Sequence, residues 1–310
     1  MEGIIKQICI SKRRGTEKTP VPCVHLIENY GLENDAHAGN WHRQVSLLSK
    51  AKVDEFNAKG GKAAPGDFGE NILAEGIDFS SLPVGTQLKI GDALLEISQI
   101  GKECHTHCAI YQRVNDCIMP REGVFARVIT GGKIQEGDTI TVLEAQKKYT
   151  AAVVVCSDAG SKKQREDLSG PTAKEMLEEG GFVVEEVVVI ADEQKLIENT
   201  LKRLADQRQI CLIVTSGGTG FSKRDVTPEA TQAVATRQAM GFARAIEIGS
   251  LQITPRAMLS RAVSVIRNES IIINLPGSPK AVRESLEIVL KSAKHGVDIL
   301  KGWDGECARK

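Results

Sequence analysis

The sequence predicts two domains in tandem. A mainly-β barrel is expected over residues 1–145. An α/β domain, its mainly parallel sheet sandwiched by helices, is expected over 149–303, followed by a short tail at 304–310. Three observations carry this expectation. Short alternating or apolar runs punctuated by glycine fill the first half, with few helical patterns. β-Branched runs alternate with amphipathic stretches in the second half, the pattern of repeated βα units. Between them Gln146-Lys147-Lys148 makes a short polar joint.

The bulk properties set outer limits on function. A chain of 310 residues, 41% hydrophobic and 26% charged, has enough apolar material for two cores. Its 40 basic and 40 acidic residues cancel, and neither half is a basic platform, which argues against nucleic acid as a partner. Met1-Glu2-Gly3-Ile4-Ile5-Lys6 lacks the apolar core of a signal peptide, and no apolar run is long enough to span a membrane. A cytoplasmic chain with no membrane partner is expected. Its eight cysteines are then thiols rather than a disulfide framework.

In the first half, strands are predicted at 4–10, 44–48, 86–90, 93–100, 125–129 and 139–143, with turns at Gly91-Asp92 and Gly137-Asp138. A helix at 50–59 would place Val53 and Phe56 on one face. Three constellations stand out. The first runs from Gly31-Leu32-Glu33-Asn34-Asp35-Ala36-His37-Ala38-Gly39 to Trp41-His42-Arg43-Gln44-Val45. The second is Pro65-Gly66-Asp67-Phe68-Gly69-Glu70-Asn71-Ile72. Both also fit plain loop turns, and His37 and His42 also fit hydrogen-bonded structural histidines. The third is Gly101-Lys102-Glu103-Cys104-His105-Thr106-His107-Cys108, with Cys117 shortly after. Four zinc ligands within five residues converge poorly on a tetrahedron. A reversible disulfide or a nucleophilic thiolate suits cytosolic thiols near cationic groups better, and a buried inert thiol is the plain alternative.

In the second half, strands are predicted at 150–156, 183–190, 210–214 and 270–275. Ser169-Gly170-Pro171 caps a helix ending near Gly180-Gly181. A helix at 193–207 carries Leu196, Ile197, Leu201 and Leu204 on one face. After a mainly helical middle, a long last helix bears Val282, Leu286, Val289, Ala293, Val297 and Leu300. Ligands of parallel sheets collect at the carboxyl ends of the strands, and the polar residues fall there: Ser157 and Asp158, Asp192, the stretch from Thr215 to Asp225, and Pro276 to Pro279. Thr215-Ser216-Gly217-Gly218-Thr219-Gly220 combines glycines that turn amides toward an anion with three hydroxyl donors. Lys223 and Arg224 add positive charge. Asp225 is repulsive beside a phosphate unless a cation such as Mg²⁺ stands between them. The spacing matches neither a P-loop nor a dinucleotide fingerprint. A glycine-rich turn with a solvated charge cluster is the bland alternative, as are a turn role for Asp158 and a helix-cap role for Asp192. Thr227-Pro228-Glu229 reads as an N-cap, a first-turn proline and an early acid.

Residues 3–143 resemble a MOSC domain, through the Gly31–Gly39 and Arg43-Gln44-Val45 strings, Pro65-Gly66-x-Phe68-Gly69-Glu70-Asn71, and the late cysteine. The resemblance implies a module that binds a pterin cofactor or handles sulfur, with Cys108 best placed as the sulfur-carrying residue and a sulfur donor as partner. Residues 153–300 resemble the molybdopterin adenylyltransferases, including the G-domain of gephyrin-like proteins. The carrying strings are Ser157-Asp158, Asp167-x-Ser169-Gly170-Pro171, Thr215-x-Gly217-Gly218-Thr219-Gly220 with Arg224-Asp225-Val226-Thr227-Pro228-Glu229-Ala230, Met258-Leu259-Ser260-Arg261, and Asn274-Leu275-Pro276-Gly277-Ser278-Pro279.

This second resemblance implies MgATP-dependent adenylylation of molybdopterin, ahead of a molybdate-inserting enzyme. Asp192 and Asp225 would take Mg²⁺. Ser157, Asp158, Ser169, Gly170, Thr215 to Gly220, Pro276, Gly277 and Ser278 would bind the pterin and ATP, with Lys223, Arg224 or Lys280 balancing charge. It also implies a homotrimer. Arg244 stands where bacterial members often carry glutamate, with Glu247 one helical turn later. Two rival functions remain at this stage, a non-catalytic molybdopterin carrier and a metal-binding redox sensor built on Cys104 and Cys108.

Overall fold

In the first unit, Met1–Gln146, alternating apolar strands close on themselves. The computed structural model describes residues 1–102, 117–162, 164 and 166–303. Seven strands pair in the order Glu2–Ile10, Thr139–Leu143, Gln87–Ile90, Ala93–Ile100, Val124–Thr130, Val45–Ser49 and Ile72–Glu75, which returns to Glu2–Ile10. Only Val45–Ser49 and Ile72–Glu75 run parallel within this ring. Closure removes free edges and gives each strand an inner face. Ile5, Leu47, Ile72, Leu88, Leu95 and Ile97 fill the interior. A three-stranded sheet, Gly132–Gln135, Cys23–Ile27 and Gly31–Leu32, adds Leu26 and Ile134 to the same core. The expected helix forms at Lys50–Ala58 with Val53 buried. The strands at 19–21, 23–27, 72–75 and 132–135 escaped the sequence reading, because Pro20, Pro22 and flanking glycines break their patterns.

The first two sequence constellations meet in a buried polar frame. Lys18 Nζ donates to Asp35 Oδ2 at 2.9 Å, with both side chains almost fully buried. Asn71 Nδ2 donates to Asp35 Oδ2 and to the Cys9 carbonyl, each at 3.0 Å. The Ser11 and Ser46 amides close the frame onto Asp35 Oδ1 and Asn71 Oδ1, both at 3.0 Å. Burial opposes ionisation of Asp35, but bonds from His37, Lys18, Asn71 and Ser11 outweigh it and hold its carboxyl well below the ordinary range. Burial lowers the Lys18 pKa against the pull of Asp35. Burial also pushes Glu70 up to about 7, against the stabilising Gly66 amide. The Cys9 thiol is pushed up to about 12 by burial and then by Glu70, so it is inert.

The second unit begins at Lys147 and contains a six-stranded sheet. Its order is Val183–Ile190, Thr150–Cys156, Leu212–Ser216, Ser270–Leu275, Ser264–Arg267 and Arg237–Gln238. The first four run parallel, and the last two turn antiparallel. The antiparallel pair replaces part of the expected helical middle; each strand is too short to show a period in the sequence. Thr150–Cys156 explains the sandwich. Ala151, Val153 and Val155 pack toward Ser169–Glu179 and Pro279–Leu300, whereas Ala152, Val154 and Cys156 pack toward Gln194–Lys202 and Thr227–Ala233. Covered on both faces, such a strand reads as a continuous apolar run.

Helical periodicity held where burial demanded it. Val282, Leu286, Val289, Ala293 and Val297 are all buried along Pro279–Leu300. The helix expected at 193–207 is Gln194–Lys202 followed by a wider π-type turn at Arg203–Gln207. Ile197, Leu201 and Leu204 are buried, but Leu196 lies off that face and is exposed. Val183–Ile190 is an edge strand. Its Glu185 bonds Lys148 at 3.0 Å and buried Arg208 at 3.4 Å, while Glu186 is bridged by Arg203 and Arg208.

Replacing Asp35 by Ala leaves Lys18 buried without its counter-charge and should cost about 3–5 kcal/mol. Asp35 titrates lower folded than unfolded, so its contribution is full above about pH 4 and is lost as pH falls through the folded value. Urea unfolding of wild type and Asp35→Ala across that range reads both effects. An unchanged midpoint at neutral pH would remove the frame from the stability argument.

Candidate active site at the sheet rim

Four parallel strands in register deliver four loops to one rim. Ser157 and Asp158 follow Thr150–Cys156, Asp192 follows Val183–Ile190, Gly217 to Asp225 follow Leu212–Ser216, and Pro276 to Ser278 follow Ser270–Leu275. Side chains from separate strands are tied together there. The Asp158 amide donates to Asp192 Oδ2 at 2.9 Å, and the Asp192 amide donates to Asp158 Oδ1 at 3.1 Å. Arg224 donates from Nε and Nη2 to the two Asp158 oxygens at 2.8 and 2.7 Å. That guanidinium is the main reason the Asp158 carboxyl sits below its ordinary range. Asp192 moves the other way. Burial, then the charges of Asp158 and Asp225, raises its pKa against the bond from the Asp158 amide. Its Oδ1 is buried and accepts no hydrogen bond.

The glycine loop approaches these acids more closely than other residues allow. Gly217 and Gly218 have φ of +94° and +65°. A Cβ on Gly217 would lie 2.5 Å from the Cys156 carbonyl oxygen. One on Gly218 would lie 2.3 Å from Thr227 Oγ1 and 3.0 Å from Asp192 Oδ1. On Gly220 it would meet Asp225 Oδ2 at 2.9 Å, the oxygen that also accepts the Ser222 amide at 3.0 Å. The loop is thus wrapped around carboxylate oxygen. Among the described residues no three His, Cys, Asp or Glu side chains close a metal cage by themselves. An orphaned carboxylate oxygen with a second acid nearby fits Mg²⁺, which keeps waters and takes one or two carboxylates plus substrate phosphates.

Several of the residues expected to bind ligand are bonded within the frame. Thr215 and Ser216 are the last two strand residues, because pairing starts at Leu212 rather than Ile210 and runs on to Asn274 and Leu275. Asn274 Nδ2 donates to Thr215 Oγ1 and Thr231 Oγ1, both at 2.9 Å, and Ser216 Oγ donates to the Pro276 carbonyl at 3.0 Å. Ser157 and Ser278 cap helices by accepting the Gly160 amide at 3.0 Å and the Ala281 amide at 3.2 Å. Leu168, not Ser169, is the N-cap of Ser169–Glu179, and the Asp167 side chain before it accepts the Ser169 amide and hydroxyl and the Gly170 amide, with Gly170 set against Val155 and Val187. Val226 rather than Thr227 is the N-cap of the following helix. Gly277 lies against Gly217, joining the third and fourth loops.

Arg261 is the residue whose position the sequence hid. Its amide donates to the Thr219 carbonyl at 2.8 Å and its Nε to the Gly220 carbonyl at 2.7 Å. Its two terminal nitrogens reach the Asp225 carbonyl and Glu229. One side chain therefore pins both ends of the 220–225 segment. Thr219, Gly220 and Pro276 also border a cavity of about 270 Å³ whose other walls include Arg244, Glu247 and Arg256. The departure at Arg244 thus falls on a cavity wall.

In the first unit, Lys18, His37, Trp41, Arg43, Lys102 and Cys117 line a cavity of about 160 Å³. The Arg43 guanidinium lies 4.8 Å from the Trp41 ring centroid, a cation–π arrangement. His37 Nδ1 lies 3.4 Å from Ser11 Oγ, and His42 Nε2 pairs with Gln99 Oε1 at 2.9 Å. Cys104, His105, His107 and the expected sulfur carrier Cys108 lie outside the described residues.

Comparison with known proteins separates the two halves in the same way. The MOSC domain family matches residues 34–141, and the family described as probable molybdopterin binding domain matches 152–295. The molybdopterin adenylyltransferase of Helicobacter pylori (strain ATCC 700392 / 26695) is 44% identical over 155 residues, 48% of this chain and 86% of that protein. That of Haemophilus influenzae is 52% identical over 117 residues, 38% of this chain and 58% of that protein. A crystal structure of a molybdopterin biosynthesis enzyme from Thermus thermophilus is 38% identical, covers 50% of this chain and 97% of that one, and superposes with a TM-score of 0.48. Through its second half, behind a MOSC domain, the chain belongs to the molybdopterin adenylyltransferase family.

Proposed function

We propose that the second unit transfers the adenylyl group of MgATP to molybdopterin, and that the MOSC unit binds or sulfurates a later form of the cofactor. The observation that carries the first part is the buried, unpartnered Asp192 Oδ1 beside Asp225 and the glycine loop. The pterin's phosphate would attack the α-phosphorus of ATP and expel pyrophosphate, with no covalent protein intermediate. Asp192 and Asp225 would hold Mg²⁺, which when bound neutralises charge on the phosphates. The backbone of residues 218–220 and the N-terminus of Pro279–Leu300 would orient phosphate groups, and Lys223, Arg224 and Lys280 would balance charge. The neighbouring cavity has walls suited to the pterin, mixing apolar side chains with Arg244, Arg256 and Glu247. Catalysis would then be positioning plus electrostatic stabilisation.

A non-catalytic carrier is the second reading. It gains nothing from three carboxylates around an anion cradle, and that favours the enzyme. Chromatography after incubation with molybdopterin and MgATP should show the adenylylated product with wild type and none with Asp225→Asn. An active Asp225→Asn protein would take that residue out of the mechanism.

For the MOSC unit, a persulfide donor would pass sulfane sulfur to a cysteine thiolate, the donor's own thiolate leaving. Cys117 on the wall of a cation-lined cavity supports this. Mass spectrometry after exposure to such a donor should find the sulfur adduct on Cys104, Cys108 or Cys117; a clean spectrum at all three would leave only the binding role.

The homotrimer finds support in Ile248, Leu251, Ile253, Met258 and Leu259, large apolar residues exposed on and just after Gly241–Leu251. Sedimentation should give three copies of the 33.5 kDa chain. A single-chain mass at micromolar concentration would count against it.

A further inference from the structure

Arg224 stands one residue before Asp225 and reaches across to the end of a different strand. Its bidentate grip on Asp158 is the geometry in which guanidinium–carboxylate pairs are strongest. Yet the two side chains are 57% and 36% exposed, a setting in which ion pairs are screened and add little stability. The pair is poorly explained as a structural staple.

Its surroundings suggest another use. Asp158 Oδ1, held by Arg224, also accepts the Asp192 amide, so the gripped carboxylate is braced to the one with the orphaned oxygen. Asp158, Asp192 and Asp225 bring three negative charges together, with Glu193 near Arg224 and Lys162 near Asp158. The segment carrying Arg224 is anchored at both ends by Arg261, through the Thr219 and Gly220 carbonyls before it and the Asp225 carbonyl after it. Between those anchors Phe221, Ser222, Lys223 and Arg224 are all exposed. A short flap fixed at both ends can swing its side chains without moving the acids below.

We propose that Arg224 is an exchangeable counter-ion. In the protein without nucleotide it neutralises Asp158; when a divalent cation and a nucleotide enter, it leaves Asp158 for the nucleotide's polyphosphate. The proposal rests on the adenylyl-transfer reading above. Two cations crowded onto one acidic cluster repel, and a guanidinium fork matches phosphate as well as it matches carboxylate. Arg224 is thus a positioning residue, which opposes metal binding alone and favours metal together with nucleotide.

That opposition separates the clamp from a merely structural role. Full-length protein is titrated with Mn²⁺ alone, followed by the electron paramagnetic resonance of free Mn²⁺, and separately with MgATP by calorimetry. Arg224→Met should bind Mn²⁺ about fivefold more tightly, the loss of one screened competing charge, and MgATP about tenfold more weakly. Arg224→Lys should return Mn²⁺ binding to the wild-type value while recovering only part of the MgATP affinity, because the fork is gone. If Arg224→Met weakens both ligands, or changes neither, the clamp is overturned while the metal site stands. If Mn²⁺ does not bind, or binds wild type and Asp225→Asn equally, the metal site assigned above fails and the clamp fails with it.

Discussion

The reciprocal bonding of Asp158 and Asp192 is the constraint on which the rim depends. Each residue lends its amide to the other's carboxylate, so two loops from neighbouring strands are locked at a fixed separation. This lock leaves each carboxylate with one job outside it. Asp158 faces Arg224, and Asp192 turns its second oxygen into the loop beneath Gly218. The brace lowers both pKa values, and the opposite directions arise around it: the guanidinium stabilises one anion, while burial and two neighbouring acids destabilise the other. The brace thus joins one well-balanced and one poorly balanced carboxylate.

Around that lock the fold works by removing freedom rather than by adding donors. Thr215, Thr231 and Asn274 tie the strand ends to the helix behind them, and Ser216, at the base of the third loop, ties it to the fourth. Arg261 then fixes the glycine loop by its own carbonyls. These hydroxyls and amides are buried and mutually satisfied, the condition under which polar networks confer rigidity in a core.

How much of this was legible in the sequence depends on the range of the interaction. The α/β half was readable because both faces of its strands are covered, so apolar runs and helical periods are strong. Asp192 and Asp225 could be placed on a common rim from parallel topology alone. Thr215 and Ser216 lie in the strand rather than the loop because its boundary falls two residues downstream of the apolar run, where Asn274 of the neighbouring strand offers a partner. Arg261 acts on Asp225 and Glu229 across more than 30 positions, and nothing in its local sequence announces that. The antiparallel extension at 237–238 and 264–267 was invisible for a different reason: four residues or fewer cannot establish a period.

The exposed margin of the second sheet has a consequence for solubility at high concentration. Val183–Ile190 presents an outer margin, and Val183 and Val187 are themselves exposed, the makings of a template on which another chain could add a strand. Of the glutamates between those valines, Glu185 is buried against Arg208, while Glu186, paired with Arg203, keeps charge partly exposed at that margin. An incoming strand would have to desolvate the Glu186–Arg203 pair before forming its first backbone bond. The same charges that anchor the strand to its own domain therefore guard it against fibrillar association.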